Sequence, residues 1–201
     1  MKRLVSTLCV FAIALVSALA FGAARGQAGL LGCSGNTYSH PFAPWNDGSS
    51  YEQAPGGSFE GANSWTLTGG AKVVGGNEPF HVNGATDSHS LLLPAGSSAT
   101  VPAICLGTLD PKARLFGKSS DGSAVHVDVY AAGLLGLVKL GVSTDISLSS
   151  SWNPSGQVTL LLDNVLALTN LGTTKVVFRF SPIGSATVQI DDFYVDPVFQ
   201  E

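Results

Sequence analysis

The chain has 201 residues, only 12% of them charged, and its 14 acidic side chains outnumber 10 basic ones for a net charge of −4. That balance repels phosphate backbones and anionic bilayers, which argues against nucleic acid as a partner. With 24 glycines, many Val, Thr and Phe positions and no long amphipathic window, the composition excludes a helical bundle and suits an all-β extracellular domain.

Lys2 and Arg3 precede an almost wholly apolar run from Leu4 to Phe21, and small-residue sites lie at its end and beyond it, at Ala18-Leu19-Ala20, Gly22-Ala23-Ala24 and Gly26-Gln27-Ala28. This is the pattern of a secretory signal peptide over 1–28. A retained membrane anchor is the alternative, because the run is near the ~17-residue minimum for a span. Removing Lys2, Arg3 and Arg25 leaves 7 Lys/Arg against 14 Asp/Glu, a formal charge of −7. About 173 residues then remain, enough for one domain that buries roughly 70% of its unfolded surface. The expectation is an exported monomer with no stable membrane insertion after cleavage.

Cys9 leaves with the signal, so Cys33 and Cys105 remain, and in an oxidising compartment they are expected to pair. Closing a loop of about 73 residues constrains the unfolded chain by roughly 4 kcal/mol in the entropic model. A second reading stays open at Cys33. Leu30-Leu31-Gly32-Cys33 resembles a lipobox, which would make Cys33 a lipidated N-terminus, although Arg25 and Gln27 separate it from the apolar run.

Residues 29–57 read as an extended N-terminal arm. His40-Pro41-Phe42-Ala43-Pro44-Trp45 carries two prolines that bar regular ladder pairing, and Asn46-Asp47-Gly48 signals a turn. A β-sandwich domain is expected over 58–201, since short strand candidates alternate with turn signals from Phe59 onward. In chain order these strands are Trp65 to Thr68, Ala71 to Val74, a short one at Pro79 to Val82, His89 to Leu93, Ala99 to Leu106 and Lys112 to Lys118. Val125 to Tyr130 alternates most clearly, with Val125, Val127 and Val129 on one face and His126, Asp128 and Tyr130 on the other. Val158 to Leu162 is apolar, and Asp163 is placed to cap a helical turn or two through Leu168. Thr174 to Pro182 points Val176, Phe178 and Phe180 inward, and Val188 to Val195 closes the chain.

Gly57-Ser58-Phe59-Glu60-Gly61 opens this domain and Ile190-Asp191-Asp192-Phe193-Tyr194-Val195 ends it. A sandwich often sets its first and last strands side by side, which brings Glu60 toward Asp191. Carboxylates that meet with no Lys or Arg between them repel each other unless a cation intervenes, and hard oxygen ligands favour Ca²⁺. Catalytic patterns are weak by comparison. The four histidines show no His-x-x-x-His or His-Glu-x-x-His spacing, and Gly117-Lys118-Ser119 is not a nucleophile elbow.

Gly-Ser-Phe-Glu-Gly, Trp65 beyond it, Asp87-Ser88-His89-Ser90-Leu91 and the closing Ile-Asp-Asp-Phe-Tyr-Val together resemble family-4/9/22-like carbohydrate-binding modules, which are galactose-binding-domain-like jelly rolls. Cys33-Ser34-Gly35, Pro41 to Trp45, Gly76 to Phe80, Ser151-Trp152 and Val177 to Phe180 are also similar to a group of small secreted bacterial proteins of unassigned function. The module resemblance implies a jelly-roll β-sandwich with a structural Ca²⁺ held by Glu60 and Asp191, with Asp192 as the alternative ligand. It further implies non-catalytic binding of an extracellular or cell-envelope glycan. His126, Asp128 and Tyr130 are the candidate ligand-binding row, and Trp152 is a further candidate, as a loop-borne stacking platform or a lid over the sandwich end. The competing expectations are a structural or adhesive envelope protein that binds a protein partner, and a small secreted hydrolase.

Overall fold

The computed structural model describes residues 37–62, 64–107, 111–133, 136–160 and 173–196. All belong to one unit, 36–201; the segment 1–35 lies outside them. In chain order the strands are β1 (Tyr38–Ser39), β2 (Tyr51–Gln53), β3 (Thr66–Thr68), β4 (Lys72–Gly75), β5 (His89–Leu93), β6 (Ser98–Thr100) and β7 (Ile104–Gly107). There follow β8 (Lys112–Ser119), β9 (Val125–Gly133), β10 (Gly136–Ile146), β11 (Asn153–Pro154), β12 (Val158–Thr159), β13 (Thr173–Pro182) and β14 (Val188–Asp196). They form two antiparallel sheets packed as the expected all-β sandwich. Sheet I runs β1-β2-β14-β5-β4, with β8 on the other side of β14 carrying β11 and β12. Sheet II runs β10-β9-β13-β6-β3, with β7 also on β13.

Period-two alternation places the core. Val125, Val127 and Val129 of β9 and Val176, Phe178 and Phe180 of β13 all face inward, as their spacing requires. They meet Leu91 and Leu93 of β5, Leu115 of β8 and Val188, Ile190 and Phe193 of β14 from the opposite sheet. Trp65 is buried here, stacked on Phe180 at 5.6 Å with its indole N–H donating to the Pro55 carbonyl at 2.9 Å. Full burial of each large side chain is worth about 1.5–3 kcal/mol, so this layer supplies the main cohesion of the sandwich.

Sheet I has a second apolar layer on its outer face, built by the N-terminal arm. Phe42 is wholly buried, stacked on Phe116 at 5.2 Å and edge-on to Tyr51 and Tyr194. Trp45 packs on Phe116 and Phe80. The arm is locked by a buried ion pair: Arg114 donates to Asp47 Oδ2 at 2.7 Å, its guanidinium lies 4.2 Å over the Phe42 ring, and its other N–H groups reach the Ser155 carbonyl. The Tyr51 hydroxyl donates to the same Asp47 oxygen at 2.7 Å. Burial opposes ionisation of Asp47, but hydrogen bonds from Tyr51 and Arg114 outweigh it and hold the carboxyl well below the ordinary carboxylate range.

Several expectations are corrected. Pro41 and Pro44 do keep the Phe42 to Asn46 stretch out of a ladder, where it forms a 3-10 turn over 43–45 instead. The arm nevertheless contributes β2, which pairs with the closing strand through Tyr194↔Gln53 and Val195↔Glu52. Ala99 to Leu106 divides into β6 and β7, because Pro102 cannot donate to a ladder. Pro79 to Val82 is a turn rather than a strand, wound around the Glu78 carboxylate. The expected cap at Asp163 and helical turn through Leu168 lie outside the described residues, as does Cys33. Cys105 lies on β7 opposite Lys175. No helix among the described residues is long and apolar enough to cross a membrane.

Candidate functional site

Two places gather polar side chains with chemical potential: the junction of the 56–60 turn with β14, and the outer face of sheet II.

At the junction, the ladder between β14 and β8 shifts register between Asp191 and Tyr194. Ile190 and Phe193 both point into the core, so one residue between them is extra, and Asp192 takes the left-handed backbone (φ 47°) that absorbs it. Phe59, also left-handed at φ 59°, turns the facing loop, and Gly57 sits between them, its carbonyl accepting from the Phe193 amide. A Cβ at Gly57 would lie 2.9 Å from the Phe193 carbonyl oxygen, so only glycine permits this approach. Backbone outliers of this kind cost about 1–3 kcal/mol each and cluster at functional sites.

The bulge makes consecutive residues Asp191 and Asp192 wholly buried. Asp191 is satisfied by backbone donors, from the Glu78 amide at 3.1 Å and the Asp192 amide at 2.9 Å. Asp192 accepts from Gln53 at 2.8 Å through one oxygen, while its Oδ2 is buried without a hydrogen-bond partner. Burial, then the Asp192 charge, push the Asp191 carboxyl up to about 9. Burial, then the charges of Glu78, Asp87 and Glu60, push Asp192 up to about 8. Burial and the same acidic surroundings raise the Tyr194 phenol as well. Glu78, itself wholly buried, accepts from the Phe80 and Val82 amides and was not singled out by sequence reading. Its place after a Gly-Gly-Asn turn gave no hint that it folds back on the closing strand.

Glu60 is brought to this neighbourhood, but both its oxygens already have partners. Oε1 accepts from the Ser88 and His89 amides at 2.6 Å each, and Oε2 lies 3.0 Å from His89 Nδ1. Burial opposes its ionisation; these bonds prevail and hold the carboxyl below its usual range. The Glu60 charge is among those that raise Asp192. The orphaned Asp192 oxygen, which feels the charges of Glu78, Asp87 and Glu60, is an acceptor chemically suited to a hard cation. Among the described residues, no three His, Cys, Asp or Glu side chains form a group that holds a metal.

On the outer face of sheet II, His126, Asp128 and Tyr130 project from β9 away from the core, as alternation requires. His126 is clamped between two carboxylates, with Nδ1 2.6 Å from Asp145 on β10 and Nε2 3.4 Å from Asp128. The register sets Thr66, Thr100, Arg179, Asp128 and Ser143 in one line across five strands. Arg179 donates to Ser98 Oγ at 3.2 Å, and Ser98 exchanges a 2.7 Å bond with Thr68. Tyr130 stands opposite Val177 one row away. The result is a face of alternating donors and acceptors beside one phenol ring. The His–carboxylate contacts lie on this open sheet and line neither of the two cavities beside β8.

Trp152 is not part of this face. It lies by β8 on sheet I, with the Lys118 ammonium 4.9 Å from its ring centroid, on the other sheet from His126, Asp128 and Tyr130.

No protein-family model and no curated protein matches the sequence. Among solved structures, the chain is similar to a family 61 carbohydrate-binding module in complex with β-1,4-galactotriose, at 16% identity and a TM-score of 0.42, covering 84% of this chain and 100% of that one. It is also similar to the CBM22-1 xylan-binding domain of Paenibacillus barcinonensis Xyn10C, at 16% identity and TM-score 0.41, covering 72% and 93%. The enzymatically active domain of bacteriophage CBA120 tailspike protein 4 gives 14% identity and TM-score 0.44; the match covers 73% of this chain and only 21% of the tailspike. At these identities and scores the likeness carries no ligand, activity or partner over to this chain.

Proposed function

We propose that this chain is an exported, non-catalytic binding module for an extracellular or cell-envelope glycan, and that the outer face of sheet II holds the sugar. The observation that carries the reading is the polar, ion-paired row on β9, β10 and β13. His126, Asp128, Asp145 and Arg179 offer donors and acceptors at sheet spacing, and Tyr130 offers a ring for stacking. Sugar hydroxyls need both, and binding on so open a face is weak because desolvation offsets most of each new hydrogen bond. The reading of a protein-binding adhesive surface has less support. The large exposed hydrophobics among the described residues, Tyr38, Phe80 and Ile183, stand on separate elements and form no broad apolar patch on this sheet.

A structural Ca²⁺ belongs to the same proposal. Asp192, with Glu60 and Asp191 alongside, would hold it and so pin the closing strand to the opening turn, supporting the sandwich rather than touching sugar. The proposed Cys33–Cys105 disulfide would tether the chain ahead of the domain to the β7 edge. A glycan array probed with wild type and with Tyr130→Ala tests the function. Binding by wild type that the substitution abolishes supports it, and silence of both proteins across the array refutes it.

A further inference from the structure

Part of the outer face of sheet I, at Lys72, Leu92, Lys118 and Gln189, is not buried by the arm. There the register aligns Lys72 on β4, Leu92 on β5, Gln189 on β14 and Lys118 on β8, and Trp152 stands against Lys118. Three inter-strand steps of ~4.8 Å separate the two lysines by about 14 Å. At the Lys118 end of this row a cavity of about 270 Å³ is lined by Leu92, Lys118 and Gln189, with Ser119, Ser120, Ser150 and Thr187 at its rim. Among the described residues neither lysine forms an ion pair, although acidic side chains outnumber basic ones in the chain. The Trp152 ring holds the Lys118 ammonium at the cavity wall, which limits the freedom that a long side chain otherwise loses on binding.

The geometry points to a second ligand groove on this face, separate from the sheet II site, that takes an anionic polysaccharide of carboxylated sugar residues. One residue sits in the cavity with its carboxylate on Lys118 and its hydroxyls on Gln189 and the serine rim. The chain continues across β14 and β5, so that a further carboxylate meets Lys72. A neutral sugar in the same place would desolvate the ammonium without compensating its charge, which is unfavourable. The two unpaired ammonium groups supply a local attraction against the acidic excess of the whole chain, and this favours the anionic occupant.

The test is retention of the full-length exported protein on immobilised polygalacturonate, sulfated dextran and neutral dextran. Wild type is expected to bind polygalacturonate more tightly than neutral dextran, with affinity falling as salt rises. Lys118→Gln and Lys72→Gln are each expected to weaken it by about two- to fivefold, and the pair by about tenfold, with melting temperature unchanged. Tyr130→Ala, on the other face, should leave polygalacturonate binding intact, which separates this groove from the function proposed above. Tighter retention on polygalacturonate than on sulfated dextran supports carboxylate selection. Equal retention on neutral dextran, no retention on either anionic matrix, tighter retention on sulfated dextran, or lysine variants that bind like wild type would overturn the groove.

Discussion

Replacing Asp47 by Asn removes the counter-charge of a guanidinium that the fold has taken out of water. Arg114 and Asp47 are 7% and 8% exposed, joined at 2.7 Å, so neither is relieved by solvent once the other is gone. The Tyr51 hydroxyl loses its strongest acceptor in the same step. Removing one partner of a buried pair costs about 3–5 kcal/mol, because the remaining charge is left uncompensated. For a domain of this size that corresponds to a fall of about 6–20 °C in melting temperature. The double variant Asp47→Asn with Arg114→Met removes both charges and should recover most of the loss, giving a coupling energy of about 2 kcal/mol or more in a double-mutant cycle. The pH dependence has a definite sign. The folded-state carboxyl is depressed, so its contribution is complete above the unfolded value near 3.9 and is lost as pH falls below it. Urea titrations at pH 7 and pH 3 with both variants provide the assay. A single-variant cost below about 1 kcal/mol at pH 7, or a wild-type advantage that persists undiminished at pH 3, would refute the latch.

Three further outcomes are expected. Chelation by EDTA should lower the wild-type melting temperature by several degrees and added Ca²⁺ should restore it, while Asp192→Asn, which tolerates the same left-handed backbone, should lose that response; a wild-type melt indifferent to both removes the cation. Gly57→Ala should destabilise by about 1–3 kcal/mol through the 2.9 Å approach to the Phe193 carbonyl, measured by thermal melting, and a neutral result would contradict the close packing of turn on bulge. Non-reducing peptide mapping of the mature protein should recover Cys33 linked to Cys105, whereas a diacylglyceryl group on Cys33 would establish the lipid-anchored form.

The strongly alternating strands were legible because burial on one face leaves a period of two in the residues themselves, as in Val125-Val127-Val129 and Val176-Phe178-Phe180. The strand β10 was not. Its glycines at 136 and 141 and its scattered polar residues give no clean alternation, and it is recruited by pairing with β9. Nor could periodicity reveal that β2 lies inside the proline-bearing arm, since the arm's burial depends on Phe42 and Trp45 finding Phe116, seventy residues away. At the junction, Asp191-Asp192 announced acidity, but only the bulge decides which aspartate is left with an unpartnered oxygen. Glu78 and the Asp47–Arg114 pair are contacts between distant segments, and a single sequence does not display those. The side of the sandwich on which Trp152 lies is hidden for the same reason, since it is set by the pairing of β11 with β8.

The sugar-binding face is tested most directly by amide chemical-shift mapping with a glycan identified on the array. Perturbations concentrated at 126–130, 143–145 and 175–181 are expected. Shifts confined to other surfaces, or a titration that moves none of these amides, would contradict binding at this sheet.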